Sequence, residues 1–177
     1  SAGGRDVFVA RLDSSGRVLW ARGFGDATDG QAGNGVAVDA AGNIFVTGAF
    51  AGRIDFGGGP LVATPDGLTD AFLVKLDAAG SHIWSRRFGD LDGQEGSYVA
   101  VDGADNVVLV VYMAGSADFG GGTLVSPADY NMAVAKFDPA GVHLWSRVYG
   151  TSGGAAGSGG GRPAIDPAGN VLLTGVF

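Results

Sequence analysis

The sequence of 177 residues contains no cysteine, only six prolines and two histidines. Without cysteine the chain forms neither disulfide bonds nor thiolate metal sites. No stretch approaches the roughly 20 uncharged apolar residues of a membrane helix, and no basic-then-apolar signal segment opens the chain. A sustained apolar period of 3.6 residues is also missing, so the sequence predicts no helix.

Basic residues are scarce as well. The chain has 11 Lys and Arg against 18 Asp and Glu, which gives a formal net charge of −7. Proteins that bind nucleic acid need a basic surface, so this balance argues against a nucleic-acid partner. Glycine, in contrast, is abundant at 34 residues, and apolar residues make up 46% of the chain. Such a composition argues against both a helical protein and a disordered one.

Three phrases recur in fixed order, at spacings of 61 to 64 residues. One phrase is headed by Trp, one ends a Val-rich run with Asp, and one joins an apolar run to an Asp-x-x-Gly sequence. Their copies are Trp20–Gly25, Trp84–Gly89 and Trp145–Gly150; Val36–Asp39, Val99–Asp102 and Pro163–Asp166; and Phe8–Asp13, Phe72–Asp77 and Ala133–Asp138. A unit of about 63 residues therefore repeats nearly three times, which indicates a repeat architecture.

Each unit contains four short segments rich in Val, Ile, Phe, Leu and Trp, which predict four strands. In the first complete unit these are Gly35–Asp39, Asn43–Phe50, Asp70–Asp77 and His82–Phe88. The segment Val107–Tyr112 of the next unit is apolar at every position. A strand of that kind is buried on both faces of its sheet, since a sheet covered on one face alternates apolar and polar residues.

Tight turns of the form Asp-x-x-Gly join the first strand to the second and the third to the fourth. The Asp carboxylate can accept hydrogen bonds from turn amides, and Gly adopts the positive φ that closes the hairpin. We therefore expect positive φ at Gly42, Gly80 and Gly141. One turn has Asp105 at the Gly position, and Asp tolerates positive φ better than most residues.

Four-stranded antiparallel units repeated in tandem predict an all-β β-propeller. A β-solenoid is the alternative, although its rungs are usually much shorter than this period. The chain is expected to form one domain over residues 1–177. Its units comprise a half blade at 1–25, blades at 35–89 and 98–150, and a second half blade at 162–177. Three blades' worth of strands is then present, with one blade split between the termini.

The order of these phrases, together with the repeated Asp-Phe-Gly-Gly-Gly of residues 55–59 and 118–122, resembles the bacterial seven-bladed-propeller-type (SBBP) repeat family over essentially the whole chain. The resemblance implies a bacterial extracellular or cell-surface propeller, mostly without a defined activity. It supplies no catalytic residues. The second unit departs from this pattern at Val111–Met113, where the first unit has Thr47–Ala49, so this strand is expected to bend less.

The longer links between strands are the expected position of any functional site, because such residues concentrate on variable loops over a rigid scaffold. They are residues 25–34, 89–97 and 150–162 between units and 51–69 and 114–130 within units. The candidate ligand-binding residues are Asp26, Asp29, Gln31, Asp90, Asp92, Gln94 and Glu95. Alternating carboxylates around Gly93 make Asp90, Asp92 and Glu95 a candidate Ca²⁺ set, with solvated polar turns as the alternative; no other cofactor is expected.

Residues that recur in every unit are expected to be structural. We expect Trp20, Trp84 and Trp145 to pack between elements. The arginines at the same offset, Arg22, Arg86 and Arg147, should stack on aromatic rings or pair with recurring Asp residues. Phe56 and Phe119 are expected to anchor their glycine-rich turns.

The sequence favours a non-catalytic binding or scaffolding module, extracellular or at the bacterial cell surface, that contacts a protein or glycan component through its long links. The alternative is a hydrolase or lyase with its site at the mouth of a propeller channel, which needs clustered, non-recurring acids, bases or nucleophiles. Three blades fall short of the usual four to eight. Ring closure is therefore expected from a homodimer with six blades or from further blades of a longer chain.

Overall fold

A computed structural model of the chain describes residues 4–26, 30–65, 68–127, 130–150 and 162–174. Within these ranges the chain is all-β, with antiparallel strand pairs throughout. No helix long and apolar enough to cross a membrane occurs in them. The strands are β1 Val7–Leu12, β2 Val18–Phe24, β3 Gln31–Val38, β4 Ile44–Phe50, β5 Arg53–Asp55, β6 Pro60–Val62, β7 Asp70–Leu76, β8 His82–Phe88, β9 Gln94–Val101, β10 Val107–Met113, β11 Ser116–Asp118, β12 Thr123–Val125, β13 Asn131–Phe137, β14 His143–Tyr149, β15 Ala164–Ile165 and β16 Val171–Leu172.

The four main sheets follow the repeat. Sheet I is β1–β2, sheet II is β3-β4-β7-β8, sheet III is β9-β10-β13-β14 and sheet IV is β15–β16. The four predicted strands of each complete unit form one four-stranded sheet, and each unit has two further short strands in the link between its second and third strands. The first strand of each begins earlier than predicted, at Gln31 and Gln94, because the end of the preceding link already pairs with the second strand.

Sheets II and III bury the strands at their centres on both faces. Every residue of β4, β7 and β10 is buried. In sheet II, Phe45 and Leu73 face sheet III, whereas Val46 and Val74 face sheet I. Side chains alternate between the faces of a strand, so a continuous apolar run supplies two separate cores. Each fully buried large apolar side chain contributes roughly 1.5–3 kcal/mol of burial free energy.

The Asp-x-x-Gly turns have the predicted backbone. The φ angles of Gly42, Gly80 and Gly141 are 83°, 79° and 82°, and that of Asp105 is 61°. In the first of these turns the Asp39 carboxylate accepts hydrogen bonds from the amides two and four residues later, at 3.1 and 2.8 Å. The predicted repeat register is thereby confirmed.

A buried Lys–Asp pair ties the third strand of each complete sheet to the turn after its first strand. Lys75 Nζ lies 3.2 Å from Asp39 Oδ2, and Lys136 Nζ lies 2.7 Å from Asp102 Oδ2. Burial alone would raise the pKa of Asp102, but hydrogen bonds from Lys136, Asn106 and backbone amides outweigh it and lower the pKa to about 2. Asp102 therefore stays ionised in the folded protein.

The links within units are hairpins rather than the loops expected from the sequence. β5–β6 and β11–β12 lie inside the ranges 51–69 and 114–130. Phe56, next to β5, is buried between Phe24 of sheet I and Phe72 of sheet II, with ring centroids 5.1 and 4.9 Å away. Phe119 is likewise buried, 5.0 Å from Phe88. These hairpins fill space between neighbouring sheets, and the prediction that both Phe side chains anchor their turns is confirmed.

Candidate functional site

The predicted binding residues lie where the links leave the strands, at the end of the sheets away from the Asp-x-x-Gly turns. We call this the link end. In sheets II and III it is formed by Thr64, Leu68, Thr69, residues 90–93, Ala114, Gly115 and Tyr130. Of the predicted site residues, Asp29 lies outside the described residues.

Asp90 is held in the link end by four hydrogen bonds to its carboxylate. Oδ1 accepts from the amide of Asp92 at 2.9 Å and from Gln94 Nε2 at 2.7 Å. Oδ2 accepts from both the amide and the hydroxyl of Ser116 at 2.6 Å. Burial opposes the charged form, but the bonds from Ser116, Asp92 and Gln94 outweigh it and lower the pKa of Asp90. This carboxylate therefore closes the turn before β9 onto the start of β11.

The two predicted glutamines are buried parts of the same kind of turn. Gln94 also donates to the carbonyl of Ala114 at 2.8 Å and accepts from the amide of Asp90 at 3.1 Å. Gln31, at the equivalent position of the preceding unit, donates to Asp26 at 3.2 Å. Their relative exposures are 0% and 1%. The links are thus held in place by hydrogen bonds of Gln31 and Gln94 with Asp26 and Asp90. The two glutamines do not line an open surface.

Asp92 and Glu95 are both exposed, but they point to different neighbours. Asp92 lies against Gly115, where an added Cβ would be closer than 3 Å to the carboxylate. Glu95 accepts a hydrogen bond of 2.9 Å from Asn34 of sheet II. No group of three or more His, Asp or Glu side chains that could hold a metal ion is found in the described part of the chain. A Ca²⁺ site at Asp90, Asp92 and Glu95 and its alternative, solvated polar turns, both stay predictions.

A second group of link-end residues escapes sequence reasoning. Tyr130 has a φ of +55°, unusual for a residue with a bulky side chain. An added Cβ on Gly93 would lie 2.8 Å from the Tyr130 hydroxyl and 3.4 Å from Leu68, so the two side chains converge over this turn. Leu68, Leu91 and Tyr130 are 61%, 65% and 43% exposed. With Asp92 they form the link-end patch.

Three members of the link-end patch, Leu68, Leu91 and Tyr130, do not recur with the repeat. Thr69 stands where the second complete unit has Tyr130, and the first link has Ala27 and Thr28 where the second has Leu91. Asp92 is the exception, because it corresponds to Asp29. Recurring positions serve the architecture, whereas a residue found in one unit is free of that role. The sequence signal for Tyr130 is therefore its difference from Thr69, the residue at the equivalent position of the other complete unit.

At the opposite end of the sheets, tryptophans bridge consecutive units. Trp20 of β2 donates to the carbonyl of Ala78 in the sheet II turn, and Trp84 of β8 donates to that of Pro139 in the sheet III turn, each at 3.2 Å. Arg22 donates to the carbonyl of Ala79 at 3.1 Å. We call this contact the turn clasp. The packing role predicted for these tryptophans is confirmed, and the Arg22 guanidinium bonds a carbonyl oxygen rather than stacking on a ring.

No protein-family model matches the chain. It is 34% identical over 128 residues to the regulatory protein FlaEY of Caulobacter vibrioides, which covers 71% of this chain and 13% of that protein. It is 28% identical over 109 residues to an uncharacterized WD repeat-containing protein of Acanthamoeba polyphaga mimivirus, covering 59% of this chain and 8% of that protein. The chain thus spans about an eighth or less of these relatives.

Among solved structures, a protein of unknown function from Bacteroides caccae aligns with 98% of this chain and 62% of its own. The TM-score is 0.35 and the sequence identity is 14%.

Proposed function

We propose that the chain is a non-catalytic binding and scaffolding module of a bacterial, SBBP-type β-propeller, extracellular or at the cell surface, whose ligand binds at the link-end patch. The observation that carries the proposal is the division between recurring and unit-specific residues. Recurring carboxylates such as Asp39, Asp90 and Asp102 accept hydrogen bonds or form ion pairs with other residues of the fold. Tyr130 and Leu91 recur nowhere and face solvent.

The propeller part of the proposal is supported by the way consecutive sheets meet. Sheets I, II and III pack face against face through separate apolar clusters. The same turn clasp joins I to II and II to III. Phe56 and Phe119 fill the space between neighbouring sheets beside the outer strands. The blades of a propeller diverge from a common axis, so they need such filling at their outer strands. A repeated step of this kind generates a curved array of sheets.

The chemistry of the link-end patch favours a carbohydrate as the ligand. The half-exposed Tyr130 ring supplies an apolar face and a hydroxyl, and the neighbouring Asp92 carboxylate accepts hydrogen bonds from sugar hydroxyls. Leu68 and Leu91 extend the apolar surface on either side. Tyr130 also has a positive φ. Strained residues of this kind cluster at binding sites, which supports a ligand at this position.

Glycan-array screening of the purified chain, followed by calorimetric titration of the best sugar, tests this proposal. Tyr130→Asn removes the ring while keeping a residue that tolerates positive φ, and we expect it to weaken binding at least tenfold. Tyr149→Asn is the matched control, because Tyr149 is 44% exposed on the outer strand β14 and lies outside the patch. Equal binding by both variants, or turnover of the bound sugar, would overturn the proposal.

Localisation is tested separately on the full natural protein in its own cells. Digestion of intact cells with an added protease should remove the protein if it is displayed at the surface. Protection until the cells are broken would contradict the proposed localisation.

A further inference from the structure

A groove opens along one edge of sheet I, and none of its lining residues belongs to the link-end patch. It consists of two adjoining cavities of about 300 and 270 Å³. Among the described residues β1 pairs only with β2, so the edge of β1 that borders the groove carries unpaired backbone groups. The lining residues on which the argument rests are Phe8, Val9, Leu12, Val36, Val38 and Ile44. We call this surface the β1 groove.

Equivalent residues in other units show what this groove lacks. Phe8 is 78% exposed, whereas Phe72, its counterpart in sheet II, is fully buried. Val36 is 61% exposed, whereas its counterpart Val99 is 9% exposed, because Phe45 of β4 packs over it. Sheet I has the third and fourth strands of a unit but no described strand corresponding to β3 or β4. A two-stranded insert would therefore bury the groove as β3–β4 bury sheet II.

Sheet IV has the complementary deficit. Its strands β15–β16 correspond to the first and second strands of a unit, and Val171–Thr174 aligns with Ile44–Thr47. In sheets II and III the second strand pairs with the third over seven residues. The described part of β16 pairs only with β15, and Leu172 is 54% exposed. The β15–β16 hairpin therefore lacks a third strand beside β16, and the β1–β2 hairpin lacks a second strand beside β1.

The turn clasp is incomplete at the same two places. Trp145, the third clasp tryptophan, has no hydrogen-bond acceptor for its indole N–H among the described residues. The Asp13–Gly16 turn has no tryptophan against it, and nothing lies within 4 Å of a Cβ built on Gly16. Built on Gly141, such a Cβ would meet Trp84 at 3.1 Å. The Trp145 indole N–H and the Asp13–Gly16 turn thus lack clasp partners among the described residues, as β16 and β1 lack neighbouring strands.

We propose that the β1 groove receives the β15–β16 hairpin of a second copy of this chain, with β16 pairing antiparallel to β1 and Trp145 clasping the Asp13–Gly16 turn of the other copy. The chain's own hairpin does not fill the groove, because Ile165 and Val171 pack on Val108 and Val110 of sheet III. Reciprocal exchange by a two-fold axis makes two composite sheets. With the four complete sheets these make six, within the range at which propellers close.

This inference stands without the link-end patch, and its test uses no sugar. Leu12 should lie opposite Val171, as Leu76 lies opposite Ile44 and Phe137 opposite Val107. The chain has no native cysteine, so Leu12→Cys with Val171→Cys should give a disulfide-linked dimer on non-reducing electrophoresis. Moving the second cysteine by one residue, with Leu172→Cys, turns it to the other face of the strand, and we expect little crosslinking.

The oligomeric state of the unmodified chain provides the second readout. Light scattering should report twice the monomer mass of 17.6 kDa. Phe8→Asp should shift the chain to monomer, because the charge enters the groove in the complex but faces water in the free chain. Val125→Asp, at a position 66% exposed on β12, should leave the dimer intact.

Three outcomes would overturn the proposal: a well-folded wild-type monomer at about 100 µM, a disulfide formed within one chain, or equal crosslinking in both registers. A stable monomer would assign the groove instead to further repeats of a longer chain. If Phe8→Asp fails to fold, the cysteine pair decides the question by itself.

Discussion

The indole N–H of Trp84 donates a hydrogen bond of 3.2 Å to the carbonyl oxygen of Pro139, 55 residues further along the chain. The same carbonyl accepts a second bond of 3.2 Å from Lys75, whose ammonium also pairs with Asp39. A turn of one sheet is thereby tied to an outer strand and an inner ion pair of the preceding sheet. The contact between units is thus polar at its rim and apolar at its centre.

Replacing Trp84 by Phe removes the clasp hydrogen bond and part of an aromatic surface. We expect the free energy of unfolding to fall by about 1–2 kcal/mol, measured by urea denaturation. Trp145→Phe in the Phe8→Asp background is the matched control, because Trp145 then has no turn to clasp. An equal loss in both variants would show that the effect comes from packing alone.

Gly80 is confined both by its backbone and by the clasp. Its φ is 79°, and an added Cβ would lie 2.8 Å from Arg22 and 3.0 Å from Trp20. Gly42 has a similar φ of 83° but meets only Ala78, at 3.7 Å. We expect Gly42→Ala to cost about 1–2 kcal/mol for the left-handed residue alone, and Gly80→Ala to cost more. Thermal unfolding distinguishes them, and equal melting temperatures would refute the crowding between sheets.

Acid should destabilise the fold through Asp102. Its side chain is 5% exposed, and its pKa is lowered from 3.8 to about 2. A depressed pKa in the folded state gives stability that is complete above the unfolded value and is lost as the pH falls from about 4 to about 2. The contribution is about 2 kcal/mol. Asp102→Asn should flatten the dependence of unfolding free energy on pH in this window; an unchanged slope would contradict it.

Calcium should leave the melting temperature unchanged at millimolar concentration. Four protein donors already occupy the Asp90 carboxylate, and Glu95 is bonded to Asn34 of sheet II. An ion would have to displace these bonds before it gained its own oxygen ligands. A rise in melting temperature with Ca²⁺ that disappears in Asp92→Asn would show instead that the site binds the ion.

The sequence predicts the main strands and turns because their signals are local and recur. Four apolar runs per unit and a fixed Asp-x-x-Gly spacing locate β7 and β8 to within a residue. Even the exceptional turn at Asp105 follows from one rule, the tolerance of Asp for positive φ. Repetition makes each weak local signal stronger, since the same pattern is seen up to three times.

What escapes prediction depends on contacts between distant segments or on very short elements. β5 and β6 have three residues each, too few to show a strand period, and only the apolar Ile54 and Leu61 around the glycine run hint at a hairpin. The approach of Tyr130 to Gly93 joins two different links. The direction of Glu95 toward Asn34 depends on where the next sheet packs.

The turn clasp acts only between adjacent units, and so do the apolar clusters that join sheets II and III and sheets I and II. Duplication or deletion of a whole unit of about 63 residues in the gene therefore creates no new type of interface and leaves none unmatched inside the array. Homologous recombination between the similar repeats offers a route to such changes. The number of units can then drift over evolutionary time while the rules that join them stay constant.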